Sequence, residues 1–236
     1  MPHPFGDDFF KINHGADYFA FFKRLGQLHY YVVLDNKKVI TVVAGILRRA
    51  PEKTWYLCDL KIHPDYRGQH LPLRILKRCF LPNYLRCQRA YAISMNPSDG
   101  STNRVLKLLN HFRYAPISYA HTLNIYMLNF QEINNHKILL ESHLGPISFL
   151  NLAGIKDLIL EKAKYKMPLL HLQHGLCAQA DSPEPHRQAL HMFCTVHESS
   201  LADALQKLNI LPAATATILH HRMGHVDWSF VLTSDI

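Results

Sequence analysis

Thr54–Phe80 reads TWYLCDLKIHPDYRGQHLPLRILKRCF. Its first part, Trp55 to Ile62, is an apolar, β-prone run that stops at His63-Pro64. A short polar turn follows, Asp65-Tyr66-Arg67-Gly68-Gln69-His70. Beyond it Leu71, Leu73, Ile75, Leu76, Cys79 and Phe80 recur at near-helical spacing, with Arg74, Lys77 and Arg78 between them. The stretch predicts strand, glycine-containing turn, helix. Such a unit aims backbone N–H groups and the positive end of a helix at phosphate, and Arg67 adds charge at the same place. Pro72 suits a first helical turn, where no N–H is needed.

Working outward, HYYVVLD, Asn36-Lys37-Lys38 and VITVVAGILRR predict a hairpin of two β-branched runs around a polar turn. Pro51-Glu52-Lys53 then leads into the Trp55–Ile62 strand, so three antiparallel strands precede the glycine-containing turn. Phe9–Ile12 reads as a short first strand and Asp17–Leu25 as a helix stopped by Gly26. Downstream, Leu81-Pro82-Asn83 predicts a helix break. Ala90–Met95 reads as a strand and Asn96–Gly100 as a loop. Ser101 or Thr102 is placed to cap a helix from Asn103 to Phe112, and Ile117–Phe130 reads as a long strand.

With this element order, the pattern Leu60-x-Ile62-x-Pro64-x-Tyr66-Arg67-Gly68 resembles the GCN5-related N-acetyltransferase (GNAT) superfamily over about residues 9–130. The resemblance implies an α/β (α+β) fold, a mixed central sheet flanked by helices, over a domain of residues 1–132. It implies acetyl-CoA as cosubstrate and a primary amine, small molecule or peptide, as acceptor. The diphosphate would lie on Arg67, Gly68, Gln69, His70 and Leu71. Backbone groups of Leu60, Lys61 and Ile62 would hold the thioester. Asn103 matches the asparagine that opens the following helix and would bond the pantetheine arm.

Transfer to an amine needs a proton acceptor and a group to protonate the leaving thiolate. Asp59, the carboxylate on the central strand, matches an acidic position of the polyamine-acetylating branch and is the candidate base. The family's tyrosine position falls on Asn110, which leaves Tyr114 as the substitute acid, with His111 and Tyr119 nearby. Each residue also has a plainer reading. Leu60 and Ile62 read as core, Asp59 as a carboxylate bonded to a lysine or backbone, Asn103 as a helix cap and Tyr114 as packing. Arg74, Lys77 and Arg78 read as a solvated stripe, and Cys58 as an inert thiol.

His70 and Pro72 stand where the family has small residues, and Cys58 where the polyamine branch has a glutamate. These departures define an alternative: a non-catalytic binding or assembly module with the same fold. A third reading is an acyltransferase that takes a longer acyl-CoA.

The 236 residues are 48% hydrophobic and 19% charged, enough to bury a core. A net charge of +8 and a pI near 9.3 suit an anionic partner. The basic residues are dispersed, which disfavours nucleic acid. Five scattered cysteines without a CxxC pair, and no signal-peptide pattern or apolar run near ~20 residues, predict a cytoplasmic, non-membrane protein. No metal is expected, because His171-x-x-His174 splits across two strand faces and His220-His221-x-x-x-His225 lacks partner ligands.

Residues 133–236 resemble no family and are expected to form a smaller α+β domain in a ferredoxin-like order. QEINNHKI reads as a polar link, Ile155–Lys164 as a helix, and Leu169–Leu172 and Leu190–Val196 as strands. Ser199-Ser200 would cap a helix over Leu201–Leu208. Ala216–His221 and Trp228–Thr233 would close as a hairpin around Gly224. No repeat relates the two halves in sequence. This domain would shape the acceptor site or form a homodimer contact.

Overall fold

The computed structural model describes residues 3–5, 8–49, 51–97, 100–101, 103–109, 111–160, 166–179 and 182–236, with the backbone alone for 3–5, 8–11, 160 and 166. In chain order, β1 (His3–Phe5) and β2 (Asp8–Asn13) pair antiparallel and lead to α1 (Ala20–Leu25). β3 (Gln27–Asp35) and β4 (Lys38–Arg48) form the expected hairpin. Asn36 and Lys37 take φ of 46° and 71°, the left-handed pair of a type I′ turn, so Asp35 faces Lys38. β5 (Thr54–Ile62), α2 (Leu71–Arg86), β6 (Ala90–Met95), α3 (Arg104–Leu109) and β7 (Ser118–Leu128) follow. Then come α4 (Phe130–Asn135), α5 (Lys137–Leu144), β8 (Ser148–Asn151), β9 (Asp157–Leu160), β10 (Lys166–Met167) and β11 (Leu169–Gln173). β12 (Leu190–Val196), α6 (Ser200–Lys207) and β13 (Ala214–His221) complete the order. Among the described residues, no helix is long and apolar enough to cross a membrane.

The chain divides into two compact units, and the division is not the contiguous 1–132 and 133–236 expected from sequence. One unit comprises Leu25–Thr122 with Ala216–Val226; the other comprises Met1–Arg24, Leu123–Thr215 and Asp227–Ile236.

In the first unit the strands run β3-β4-β5-β6-β13, antiparallel except for the parallel β5–β6 pair. This is a mixed sheet with α2 in the crossover between its parallel strands. The helix break predicted at Pro82 does not occur, since α2 runs through it to Arg86. The last turn is anchored instead. Trp55 Nε1 donates to the Asn83 carbonyl at 3.0 Å, and the Tyr31 hydroxyl bonds the Asn83 side chain. Those contacts offset the lost helical hydrogen bond. The predicted closing hairpin is also absent: β13 pairs along β6, from Ala216↔Met95 to His221↔Ala90, while Trp228–Phe230 is a 3-10 turn. Adjacency in sequence favoured the hairpin, and a partner over a hundred residues upstream took the strand.

The second unit holds an antiparallel sheet β1-β2-β9-β10 and the strands β7-β12-β11-β8, of which β11 and β12 are parallel. QEINNHKI is not a link. It carries α4 and the start of α5, opened by a capping box in which Asn129 accepts from Glu132 N and Glu132 accepts from Asn129 N. Ile133 and Leu140, seven apart, are fully buried in a core with Phe149, Leu172, Phe193 and Leu205. The helix predicted over Ile155–Lys164 is corrected to a strand over Asp157–Leu160, held between β2 and β10, with 161–164 outside the described residues. The expected ferredoxin-like order of 133–236 loses that helix. Ser199 caps α6 as expected, accepting from Ala202 N.

Candidate functional site

The first unit's parallel pair is short. Trp55↔Ala90, Tyr56↔Tyr91 and Leu57↔Ala92 are aligned; beyond them β5 continues to Ile62 and β6 to Met95 without pairing to each other. The cause lies on the other side of β5. Ala44 pairs with Cys58 and Val42 with Lys61, so Asp59 and Leu60 together oppose Val43. This is a β-bulge, and Asp59 sits at φ 53° to form it. The added twist turns the end of β5 away from β6. Cys58–Ile62 are left without a β6 partner, in the place where the sequence put the thioester-binding residues Leu60, Lys61 and Ile62. Leu60 and Ile62 are half-buried, and Lys61 is exposed.

The loop after β5 is open. Pro64–Tyr66 forms a 3-10 turn, and the Tyr66 hydroxyl donates to Asp35 Oδ2 at 2.6 Å, tying the loop to the β3–β4 hairpin. Gly68 at φ 83° lies in a region that suits glycine, and a Cβ there would meet nothing within 4 Å. His70 takes the left-handed conformation as well, φ 54° and ψ 24°, a backbone that glycine adopts more readily than an imidazole-bearing residue. Arg67, Gly68, Gln69 and His70 are all exposed. Among the described residues, no protein acceptor is recorded for the amides of Gly68, Gln69, His70, Leu71 or Leu73; the first helical bond is Arg74 N to His70 O. Pro72 occupies the first turn, where its missing N–H removes nothing from the helix. Free amides, a helix start and a guanidinium are groups of the kind that can hold an anion.

The Asp59 side chain is 8% exposed, and its carboxylate is engaged: Tyr30 donates to Oδ2 at 2.7 Å, and Lys61 Nζ lies 2.7 Å from Oδ1. Sequence reading missed Tyr30, because only the register Tyr30↔Ala44↔Cys58 brings it to the bulge. Burial, aided by the neighbouring Asp59 charge, pushes the Cys58 thiol far up, so it stays protonated. Tyr114 is held by other elements. It is 52% exposed and packs against Phe80 and Phe112, with Lys77 Nζ 5.4 Å over its ring. Asn110, the family's tyrosine position, lies outside the described residues.

Asn103 is buried and committed. Its Oδ1 accepts from Val105 N at 3.0 Å and Leu106 N at 3.4 Å, which caps α3; its Nδ2 donates to the Ser94 and Met95 carbonyls and to Asn96 Oδ1. It fixes the end of β6 to the start of α3, beside the parting strands. Thr102, the other cap expected, lies outside the described residues.

Beneath α2 the same unit holds a cavity of about 110 Å³, walled by apolar groups of β4, β5, β6 and α2. Among the described residues, no group of three or more His, Cys, Asp or Glu converges to hold a metal ion.

No family model matches the sequence. A curated relative, the uncharacterized protein L340 of Acanthamoeba polyphaga mimivirus, is 26% identical over 234 residues, covering 93% of this chain and 68% of that protein. Among solved structures, a Thermoplasma acidophilum protein assigned as an acetyltransferase aligns with a TM-score of 0.45 at 15% identity, over 82% of this chain and 78% of that one. A tandem GNAT protein from the clavulanic acid biosynthesis pathway aligns with a TM-score of 0.44 at 11% identity, over 85% of this chain and 84% of that one.

Proposed function

We propose that the unit of residues 25–122 and 216–226 is an acyl-CoA-dependent N-acyltransferase, with acetyl-CoA its simplest donor and a primary amine its acceptor. One observation carries the reading. A parallel strand pair parts after three aligned positions, and the strand that turns away leads into an exposed loop whose amides at a helix start have no protein acceptor among the described residues. The first feature offers main-chain groups to a thioester and the second a seat for a diphosphate. Arg67, Gly68, Gln69, His70 and Leu71 would bind the diphosphate, and Leu60, Lys61 and Ile62 the thioester region. Asn103 would act by positioning, since its own polar atoms are bonded within the protein.

In the transfer, the amine nitrogen bonds the acyl carbon, the carbon–sulfur bond breaks and the thiolate leaves. Asp59 would take the amine proton through a water or hold the ammonium by charge, with Tyr30 and Lys61 fixing its carboxylate. The thiolate would take its proton from Tyr114 or from solvent. The five cysteines are free, and a reduced, cytoplasmic setting goes with this proposal.

Isothermal titration with acetyl-CoA tests the reading. Binding should weaken about five- to tenfold for Arg67→Ala, as expected for one exposed charge-assisted contact. No binding at millimolar ligand would remove it. A second reading, a binding module without catalysis, is favoured by the full engagement of Asp59. Release of free thiol from acetyl-CoA against a panel of amines divides the two.

A further inference from the structure

We infer that the cavity beneath α2 receives an aliphatic chain of about four to six carbons, carried on the acyl donor, so that the preferred transferred group is longer than acetyl; the size follows from an apolar cavity of ~150 Å³ taking a six-carbon ring. The inference rests on the acyl-transfer reading.

Position carries the first part of the argument. Leu57 and Ala92, the last aligned pair before β5 and β6 part, both line the cavity, so it begins where the thioester is proposed to sit. A chain attached there runs down between the sheet and α2. Shape carries the second. Gly45, Ala90, Ala92 and Ala115 line the space where larger apolar residues would have closed it. The later turns of α2 stand off the sheet, its buried residues being Leu71, Pro72 and Ile75, and Asn83 props its end.

Polarity carries the third. Several polar atoms of the wall are bonded within the protein: Trp55 Nε1 bonds the Asn83 carbonyl, the Asn83 side chain bonds Tyr31, and His221 Nδ1 lies 2.7 Å from the Pro116 carbonyl. The surface that the wall presents is almost wholly apolar, so the space suits an apolar occupant.

The test compares acetyl-CoA, hexanoyl-CoA and dodecanoyl-CoA by titration against the full chain and its Gly45→Val variant. A Cβ at Gly45 meets Trp55 and Leu57 at 3.6–3.8 Å, ordinary contact, so the added side chain fills space without a clash. Hexanoyl-CoA should bind about tenfold or more tighter than acetyl-CoA, and dodecanoyl-CoA should gain nothing further. Gly45→Val should abolish the gain and leave acetyl-CoA binding unchanged. Ala92→Val serves as the second filling variant if Gly45→Val fails to fold. Equal affinity for the acetyl and hexanoyl esters, or a gain that survives both variants, overturns the inference and leaves the acyl-transfer reading standing. If no CoA ester binds, both fall. A rise in Tm with 1-hexanol in the wild type alone would then mark the cavity as a site for a free apolar ligand.

Discussion

His70 shows how a residue that departs from a motif can keep its geometry. An imidazole at φ 54° stores about 1 kcal/mol relative to glycine, while glycine gives part of that back through the unfolded chain. His70→Gly should therefore raise unfolding stability by about 0.5–1 kcal/mol in urea titrations, whereas His70→Val should lower it by more than 1 kcal/mol. If the loop binds acetyl-CoA as proposed, affinity should hold in the glycine variant, because the amides and not the ring would face the ligand. Asn103 illustrates the opposite case, a motif match whose side chain is occupied. Asn103→Ala removes a helix cap and the donor to the Ser94 and Met95 carbonyls, and should destabilise the protein by about 1–2 kcal/mol in the same assay. A larger loss in ligand affinity than in stability would show direct contact with the pantetheine arm.

Elements whose partners are close in sequence were the readable ones. The β3–β4 hairpin, the Thr54–Ile62 strand and the loop into α2 are fixed by turn residues and periodicity within a few positions. β9 reads as a helix and β13 as half of a hairpin because their partners lie far away in sequence: β9 pairs with β2 and β10, and β13 with β6. The parting of β5 and β6 was likewise hidden. It depends on a bulge that two strands define together, and no single strand announces it. The α4 capping box was legible, since Asn129-x-x-Glu132 precedes an apolar pair seven apart, but the polar composition masked it. Asn129→Ala should cost about 1 kcal/mol of stability by thermal denaturation, in proportion to one lost cap.

For the whole molecule, the many histidines acquire a specific consequence. His171 is fully buried and held well below the usual histidine range by burial, with the Lys156 and Arg24 charges adding to it. His174, His191 and His220 are lowered by burial as well. The unfolded chain binds protons at these sites below about pH 6.5 and the folded one does not, so stability falls as pH drops through that value. Lys156, brought to about 7 by burial, adds a second slope: between about pH 7 and 10 the unfolded state again holds more protons, and stability rises with pH. Tm measured at pH 5.5, 7 and 8.5 should climb throughout, and His171→Gln should flatten the acid limb. A Tm highest at pH 5.5 would refute this.

β13 has a consequence for how the protein is made. The six residues of β6, Ala90 to Met95, are paired by Ala216–His221, which the ribosome delivers over a hundred residues later. Until then β6 presents a bare hydrogen-bonding rim, the kind of surface that recruits strands from other nascent copies. A fragment ending at residue 132 keeps that rim permanently and should sediment as aggregates, while the same fragment supplied with a peptide spanning 214–226 should stay dispersed.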